Sequence, residues 1–154
     1  MTRLDQPFEL RGPEALVFGR GTVTETGDRT SAFGDRALVV TDAGVREAGL
    51  LDPVRDSLED AGVTVDVFDG VDSDPTVGTA TTATRAAAEA GADAVVGVGG
   101  GSPMDVAKAA ALAAGTGRSV PDLLEADGPL SRGLPAVLLP TTAGTGSEVS
   151  PAAV

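Results

Sequence analysis

The sequence predicts an α/β domain, a parallel sheet with helices on both faces. Three observations carry that prediction. Short apolar runs recur at residues 36–42 (RALVVTD), 94–98 (AVVGV) and 134–139 (LPAVLL), and unbroken runs of this length suit strands buried on both faces. Helical spacing falls between them, at Leu51, Val54, Leu58 and Ala61 and again over 76–90. Strands that alternate with helices in this way form βαβ units. Finally, three glycines follow the 94–98 run directly and lead into a helix, at the sheet end where such folds bind ligands.

Taken in order, residues 1–13 read as an irregular lead-in and 14–19 as a short strand. The glycine-flanked polar segment 22–33 has little helical periodicity. The strand at 36–42 ends on an acid, Asp42. The helix marked by Leu51 to Ala61 stops at Gly62. Val63, Val65 and Val67 alternate with Thr64 and Asp66, which predicts a half-exposed strand. Asp74-Pro75 then breaks the chain ahead of the 76–90 helix. After the strand at 94–98, Ser102 is placed to cap a helix, with Pro103 at its first position and Asp105 completing a capping box. Met104, Ala107, Ala111 and Ala114 share one face of that helix. Residues 115–133 read as loop with a short helical turn near 121–124, and 134–139 as another buried strand ended by Pro140. Residues 148–154 look like the start of a further strand that stops without a polar tail. There is no internal repeat or low-complexity segment.

At 154 residues the chain is one domain's worth, and 1–154 is read as a single domain. Hydrophobic residues make up 42% and aromatics only 3%, so the core must be built from Val, Leu and Ala. The absence of cysteine excludes disulfides and thiolate metal sites. Against 11 basic residues stand 23 acids, a formal net charge of −12, which is the wrong sign for a nucleic-acid partner. The acids are dispersed and Lys108 is the sole lysine. That pattern fits a halophilic protein working in high salt, or a genome that favours Arg codons combined with an ordinary acidic surface. Residues 1–7 lack the apolar run of a signal peptide, and no stretch is long enough to span a membrane, so a cytoplasmic protein without a membrane partner is expected.

The chemistry concentrates in three places. Gly99, Gly100, Gly101 and Ser102 connect a strand to a helix N-terminus. Helix amides there lack intrahelical acceptors, and the helix dipole adds about half a positive charge. Glycines also let a phosphate approach the backbone. The alternative is a tight turn with no ligand. The second place is 140–149, PTTAGTGSEV, with Thr141, Thr142 and Thr145 as donors; it is either a ligand-facing wall or a solvated loop. The third is Asp42, which can accept from both ribose hydroxyls of a dinucleotide or cap the helix that follows. It precedes the glycine loop, whereas the usual dinucleotide fingerprint places its acid about 20 residues after it.

These residues carry a family resemblance. VTD at 40–42, DPT at 74–76, GGGSPMDVAK at 99–108 and PTTAGTGSEV at 140–149 together resemble the iron-containing (group III) alcohol dehydrogenases, in order, from Phe18 onward. The resemblance implies a Rossmann-like dinucleotide-binding domain for NAD, with NADP as the alternative. It implies that Gly100, Gly101 and Ser102 hold the pyrophosphate beside Gly99. Thr141, Thr142 and Thr145 would line the same crevice, and Asp42 would read the adenosine ribose. Asp74 stands where the family often has Asn. The family's catalytic metal is held by one Asp and three His beyond the PTTAGTGSEV segment, and this chain has no histidine. The expectation is therefore the cofactor-binding part of an enzyme that transfers hydride between NAD(P) and a small alcohol or aldehyde. No catalytic or metal residue is assigned. Fe²⁺ or a similar metal would enter only with a separate metal-binding domain, and a homo-oligomer is an open alternative partner. Competing readings are a non-catalytic nucleotide-binding module or gene remnant, and a dehydroquinate-synthase-like enzyme.

Overall fold

The computed structural model describes residues 12–126 and 131–150. Four strands form one parallel sheet in the order β2-β1-β3-β4: β1 is Arg36–Val40, β2 Thr64–Phe68, β3 Ala94–Gly99 and β4 Ala136–Pro140. The central register aligns Val39 with Val67 on one side and with Val96 on the other. β1 and β3, the two interior strands, are the most buried, as a sheet covered on both faces requires.

Alternation along β1 and β3 divides the core in two. Leu38, Val40 and Val95 face α4 (Val77–Ala90) and α5 (Gly101–Thr116), packing on Ala83, Ala87, Ala107 and Ala111. Ala37, Val39, Val96 and Val98 face α3 (Asp52–Asp60), packing on Val54 and Leu58. The alanine faces let α5 lie close to the sheet, and Gly97 makes that approach feasible. A Cβ there would fall 2.8 Å from the Ala107 Cβ and 3.0 Å from Leu138 Cδ2. Small residues at this crossing replace the aromatic bulk that the composition lacks.

Several expectations are corrected. Residues 14–19 do not form a strand. No strand among the described residues pairs with them, and Leu16 and Phe18 are 70% and 98% exposed. An apolar run alone does not make a strand without a partner for its backbone. Segment 22–33, which had no clear pattern, is a 3-10 turn (Thr22–Glu25) running into α1 (Thr26–Ser31). Its inward face is Thr26, Gly27 and Thr30, invisible to an apolar-periodicity reading. Gly27 sits so close to α3 that a Cβ would strike the Ser57 carbonyl, and Ser57 Oγ bridges the two elements, accepting from the Gly27 amide and donating to the Thr24 carbonyl. The helix that follows Asp42 directly is a separate short one, α2 (Ala43–Glu47), ahead of the helix that the sequence marks from Leu51. β4 is an edge strand, half-buried rather than buried. Residues 148–150 form a turn rather than a strand, and residues 1–11 of the lead-in and 151–154 lie outside the described residues.

The remaining elements agree with their sequence signals. α4 begins at a reciprocal capping box, in which Thr76 and Thr79 each accept from the other's amide. It ends at Gly91 in the left-handed conformation (φ 60°). α6 (Val120–Leu124) is the helical turn expected near 121–124, capped by Ser119.

A cleft at the strand ends

The C-terminal ends of β1, β2 and β3 open onto a cleft of about 670 Å³. A cavity of that size suits a cofactor-sized ligand. Asp42, Gly100, Gly101, Ser102, Thr141 and Thr142 line it, so six of the eight residues singled out from sequence converge there. The other two stand beside it. Gly99 packs beneath, against Pro103, and Thr145 stands next to Gly101 with its hydroxyl donating to Glu148 at 3.0 Å.

Backbone geometry gives the three glycines different reasons to be there. Gly99 has φ 149°, and a Cβ on it would lie 2.6 Å from Pro103 Cγ, so the fold itself requires glycine. Gly100 has φ −78°, open to any residue, and a Cβ there would meet only Thr142 Oγ1, at 3.3 Å. At Gly101, inside α5, the nearest atom would be Thr145 Cβ at 3.7 Å. Neither conformation nor packing demands glycine at Gly101, where it costs the helix about 1 kcal/mol relative to alanine. What their missing side chains do is leave the mouth of α5 open to the cleft.

α5 starts two residues earlier than the capping-box reading implies. Gly100 is its N-cap and supplies no side chain, so the first-turn amides have no capping side chain. Ser102 is not the cap: its hydroxyl donates instead to the Ser73 carbonyl at 3.1 Å, tying the loop after β2 to the helix. Asp105 does not close a box either. It lies on the second turn, facing Lys108 and Ser147. The glycines displaced the start of the helix and left both polar side chains free for long-range contacts.

Asp42 does cap a helix, since its Oδ1 accepts from the Val45 amide at 2.9 Å at the start of α2. Its other oxygen lies over Gly99, and Asp42 still lines the cleft, so capping and ligand binding are compatible. Thr41, fully buried, donates to the Val98 carbonyl at 2.8 Å and holds the ends of β1 and β3 in register beneath it. Arg46, the nearest cation in sequence, ion-pairs with Asp69. Sequence reasoning passed over the loop after β2, which contributes Val71, Asp72 and Ser73 to the cleft wall. Its signal was position: it follows a strand's C-terminal end, where open α/β sheets gather ligand-binding loops.

The iron-containing alcohol dehydrogenase model matches residues 13–154, nearly the whole chain. The chain belongs to the iron-containing alcohol dehydrogenase family. Among its relatives, a choline dehydrogenase of Bacillus subtilis is 41% identical over 151 residues, covering 96% of this chain and 37% of that protein. An NAD-dependent methanol dehydrogenase of Bacillus methanolicus is 37% identical over 143 residues, covering 92% and 38%. In structure, an archaeal halo-thermophilic alcohol dehydrogenase from a Red Sea brine pool superposes with a TM-score of 0.85 at 33% identity, covering 94% of this chain and 39% of that one. The chain thus spans a little over a third of the length of the curated relatives it matches. Iron-containing alcohol dehydrogenases take their name from a metal, and this chain's residues do not fit one. The sequence holds no His or Cys, and among the described residues no three acids gather within reach of a common ion. Among the described residues, no helix is long and apolar enough to cross a membrane.

Proposed function

We propose that the chain is the cofactor-binding portion of an NAD-dependent alcohol dehydrogenase. In this reading the pyrophosphate lies on the first-turn amides of α5 at Gly100, Gly101 and Ser102, with Gly99 beneath. Asp42 receives the adenosine ribose hydroxyls, and Thr141, Thr142 and Thr145 form the opposite wall. The observation that carries the reading is the side-chain-free mouth of α5, which the fold does not need and which opens between Asp42 and the threonines. An anion there gains both the free amides and the positive end of the helix dipole. Titration of the folded chain with NADH and NADPH, followed by nicotinamide fluorescence, tests this. Saturable NADH binding is expected, and its absence would remove the reading.

The reaction proposed for the whole enzyme is hydride transfer between NAD(P) and a small alcohol or aldehyde, with a divalent metal such as Fe²⁺ polarising the substrate oxygen. Metal ligands would have to come from a partner, whether a separate metal-binding chain or another polypeptide segment. The missing donor set equally favours a second reading, a nucleotide-binding module without catalysis. The two separate on whether a metal-binding segment supplied in trans yields turnover. Dispersed acid excess and a single lysine support work in high salt, and a cytoplasmic location is proposed from the composition.

A further inference from the structure

Three charged residues gather where β1 and β2 end: Asp42, Arg46 and Asp69. Asp42 and Arg46 are one helical turn apart, and the Arg46 amide donates to the Asp42 carbonyl at 3.2 Å. Asp69 is the first residue past β2, and its neighbour Gly70 forms an isolated antiparallel bridge with Asp42. On its other side the Phe68 carbonyl accepts from the Thr41 amide at 2.9 Å. The backbone of 68–70 is thereby tied to that of 41–42, which presents the Asp69 carboxylate at a fixed place beside α2. Arg46 turns to it, and its Nη1 donates to Asp69 Oδ2. Residues 42 to 45 line the cleft in unbroken succession and Leu50 lines it again, but Arg46 between them does not.

We propose that Asp69 is a positioning residue for cofactor choice, holding the Arg46 guanidinium off the cleft and so disfavouring dinucleotides that carry a 2′-phosphate. The inference rests on the dinucleotide reading, in which the adenosine ribose lies at Asp42. A phosphate on the 2′ oxygen would stand beside that carboxylate and be repelled. An arginine one turn along the same helix is suited to relieve the repulsion, because its planar fork takes phosphate through two parallel hydrogen bonds. Arg46 is the only basic residue on α2. While Asp69 engages it, a 2′-phosphate must compete for the guanidinium. Asp69 thus reinforces Asp42 without touching the cofactor. The two side chains are 63% and 40% exposed, so the hold is shallow and its effect is several-fold rather than orders of magnitude.

The test is a double-mutant cycle of Asp69→Asn and Arg46→Gln, with Asp69→Glu as the conservative control. Each protein is titrated with NADH and with NADPH at low ionic strength, where charge contacts are screened least. The readout is the ratio of the two affinities, which a general loosening of the loop would leave unmoved. Asp69→Asn is expected to shift that ratio toward NADPH by about fivefold, the worth of a released surface ion pair. Asp69→Glu keeps the charge that engages Arg46 and should stay within about twofold of the wild type. In the Arg46→Gln background, Asp69→Asn should shift the ratio by less than about twofold, since no guanidinium remains to release. If Asp69→Asn fails to fold, Asp69→Ser carries the same comparison. An unchanged ratio, equal changes for both cofactors, or the same shift in the Arg46→Gln background would each overturn the role of Asp69; the last would mean that removing any negative charge suffices. A wild-type chain that binds no NADH would instead overturn the dinucleotide reading, and this inference with it.

Discussion

Asp42 Oδ2 lies 3.3 Å from the point that a Cβ on Gly99 would occupy, so the acid at the end of β1 leans over the end of β3. Its other oxygen is held by the Val45 amide, which fixes the carboxylate's orientation toward the cleft. A 2′-phosphate beside that carboxylate is repelled unless a cation intervenes. Arg46 is engaged by Asp69, but both partners are largely exposed, and such pairs are worth at most about 1 kcal/mol. NADH is therefore expected to bind more tightly than NADPH. Asp42→Asn keeps a capping side chain and removes the charge. It should narrow the NADH/NADPH ratio about tenfold at low ionic strength, read by parallel fluorescence titrations.

The glycines separate by cause. Gly99→Ala forces an L side chain to φ 149° and into Pro103, so it should lower stability by about 1–3 kcal/mol, visible as a fall in melting temperature. Gly101→Val meets nothing closer than 3.7 Å and should leave the fold intact, at a helix-propensity change of a few tenths of a kcal/mol. Its branched side chain nevertheless fills the helix mouth, and NADH binding should weaken at least about a hundredfold by sterics and lost amide bonds. An intact Gly101→Val protein that binds NADH normally would remove the phosphate site.

Packing supplies a third expectation. Gly97→Ala places a methyl 2.8 Å from the Ala107 Cβ, pushing α5 off β3, and should cost about 1–3 kcal/mol by denaturant unfolding. Leu58→Ala removes a fully buried side chain from the opposite core and should cost about 2–5 kcal/mol. Because the two sites lie on opposite faces of the sheet, their effects should add.

Much of this molecule is legible in its sequence because the signals are local. The runs at 36–40 and 94–99 are unbroken because both faces of those strands are covered, and the Asp74-Pro75 break and Thr76 announce α4 directly. Where the reading failed, the cause was a contact distant in sequence. α1 turns a face of Thr and Gly toward α3, satisfied by Ser57 some thirty residues on, and no periodicity of apolar residues records it. Ser102 and Asp105 matched a cap at the right spacing, yet their partners, Ser73 and Ser147, lie 29 and 42 residues away. The cleft was readable because its residues sit at strand ends. The Lys108 contacts behind it were not, since a lone lysine carries no indication that it will meet the Ser147 and Ser150 carbonyls.

Charge yields a fourth expectation. With a formal net charge of −12 and most acids on the surface, self-repulsion opposes the compact state at low ionic strength. The melting temperature should rise from low to molar KCl, steeply at first as the Debye length drops from about 30 Å at 0.01 M to about 3 Å at 1 M. The exposed pairs Arg29–Glu25 and Arg55–Glu59 weaken over the same range, but each contributes less than about 0.5 kcal/mol. Repulsion among the unpaired acids therefore decides the sign. A flat or falling melting temperature would favour base composition as the source of the acid excess.

The last expectation concerns turnover. Holding a catalytic divalent metal takes several fixed ligands and an open position for the substrate oxygen. This chain contains neither of the residue types that supply nitrogen or thiolate ligands, among the described residues no three acids gather within reach of one ion, and three of the acids in or near the cleft are already engaged. Asp42 caps α2, Asp105 is held by Lys108 and Ser147, and Glu148 accepts from Thr145. Pulling any one of them onto an ion would break the contact that positions it, and a single carboxylate makes a weak site. Incubated with NAD, Fe²⁺ and a panel of short alcohols, the chain should produce no NADH above background, measured by absorbance at the reduced nicotinamide band. The same mixture with a relative's metal-binding segment added should produce NADH, and should lose that activity when Gly101→Val replaces the wild type. Metal-dependent turnover by the chain alone would show that its acids can leave their partners to build a site. Failure even with the added segment, in a chain that binds NADH, would favour the non-catalytic module.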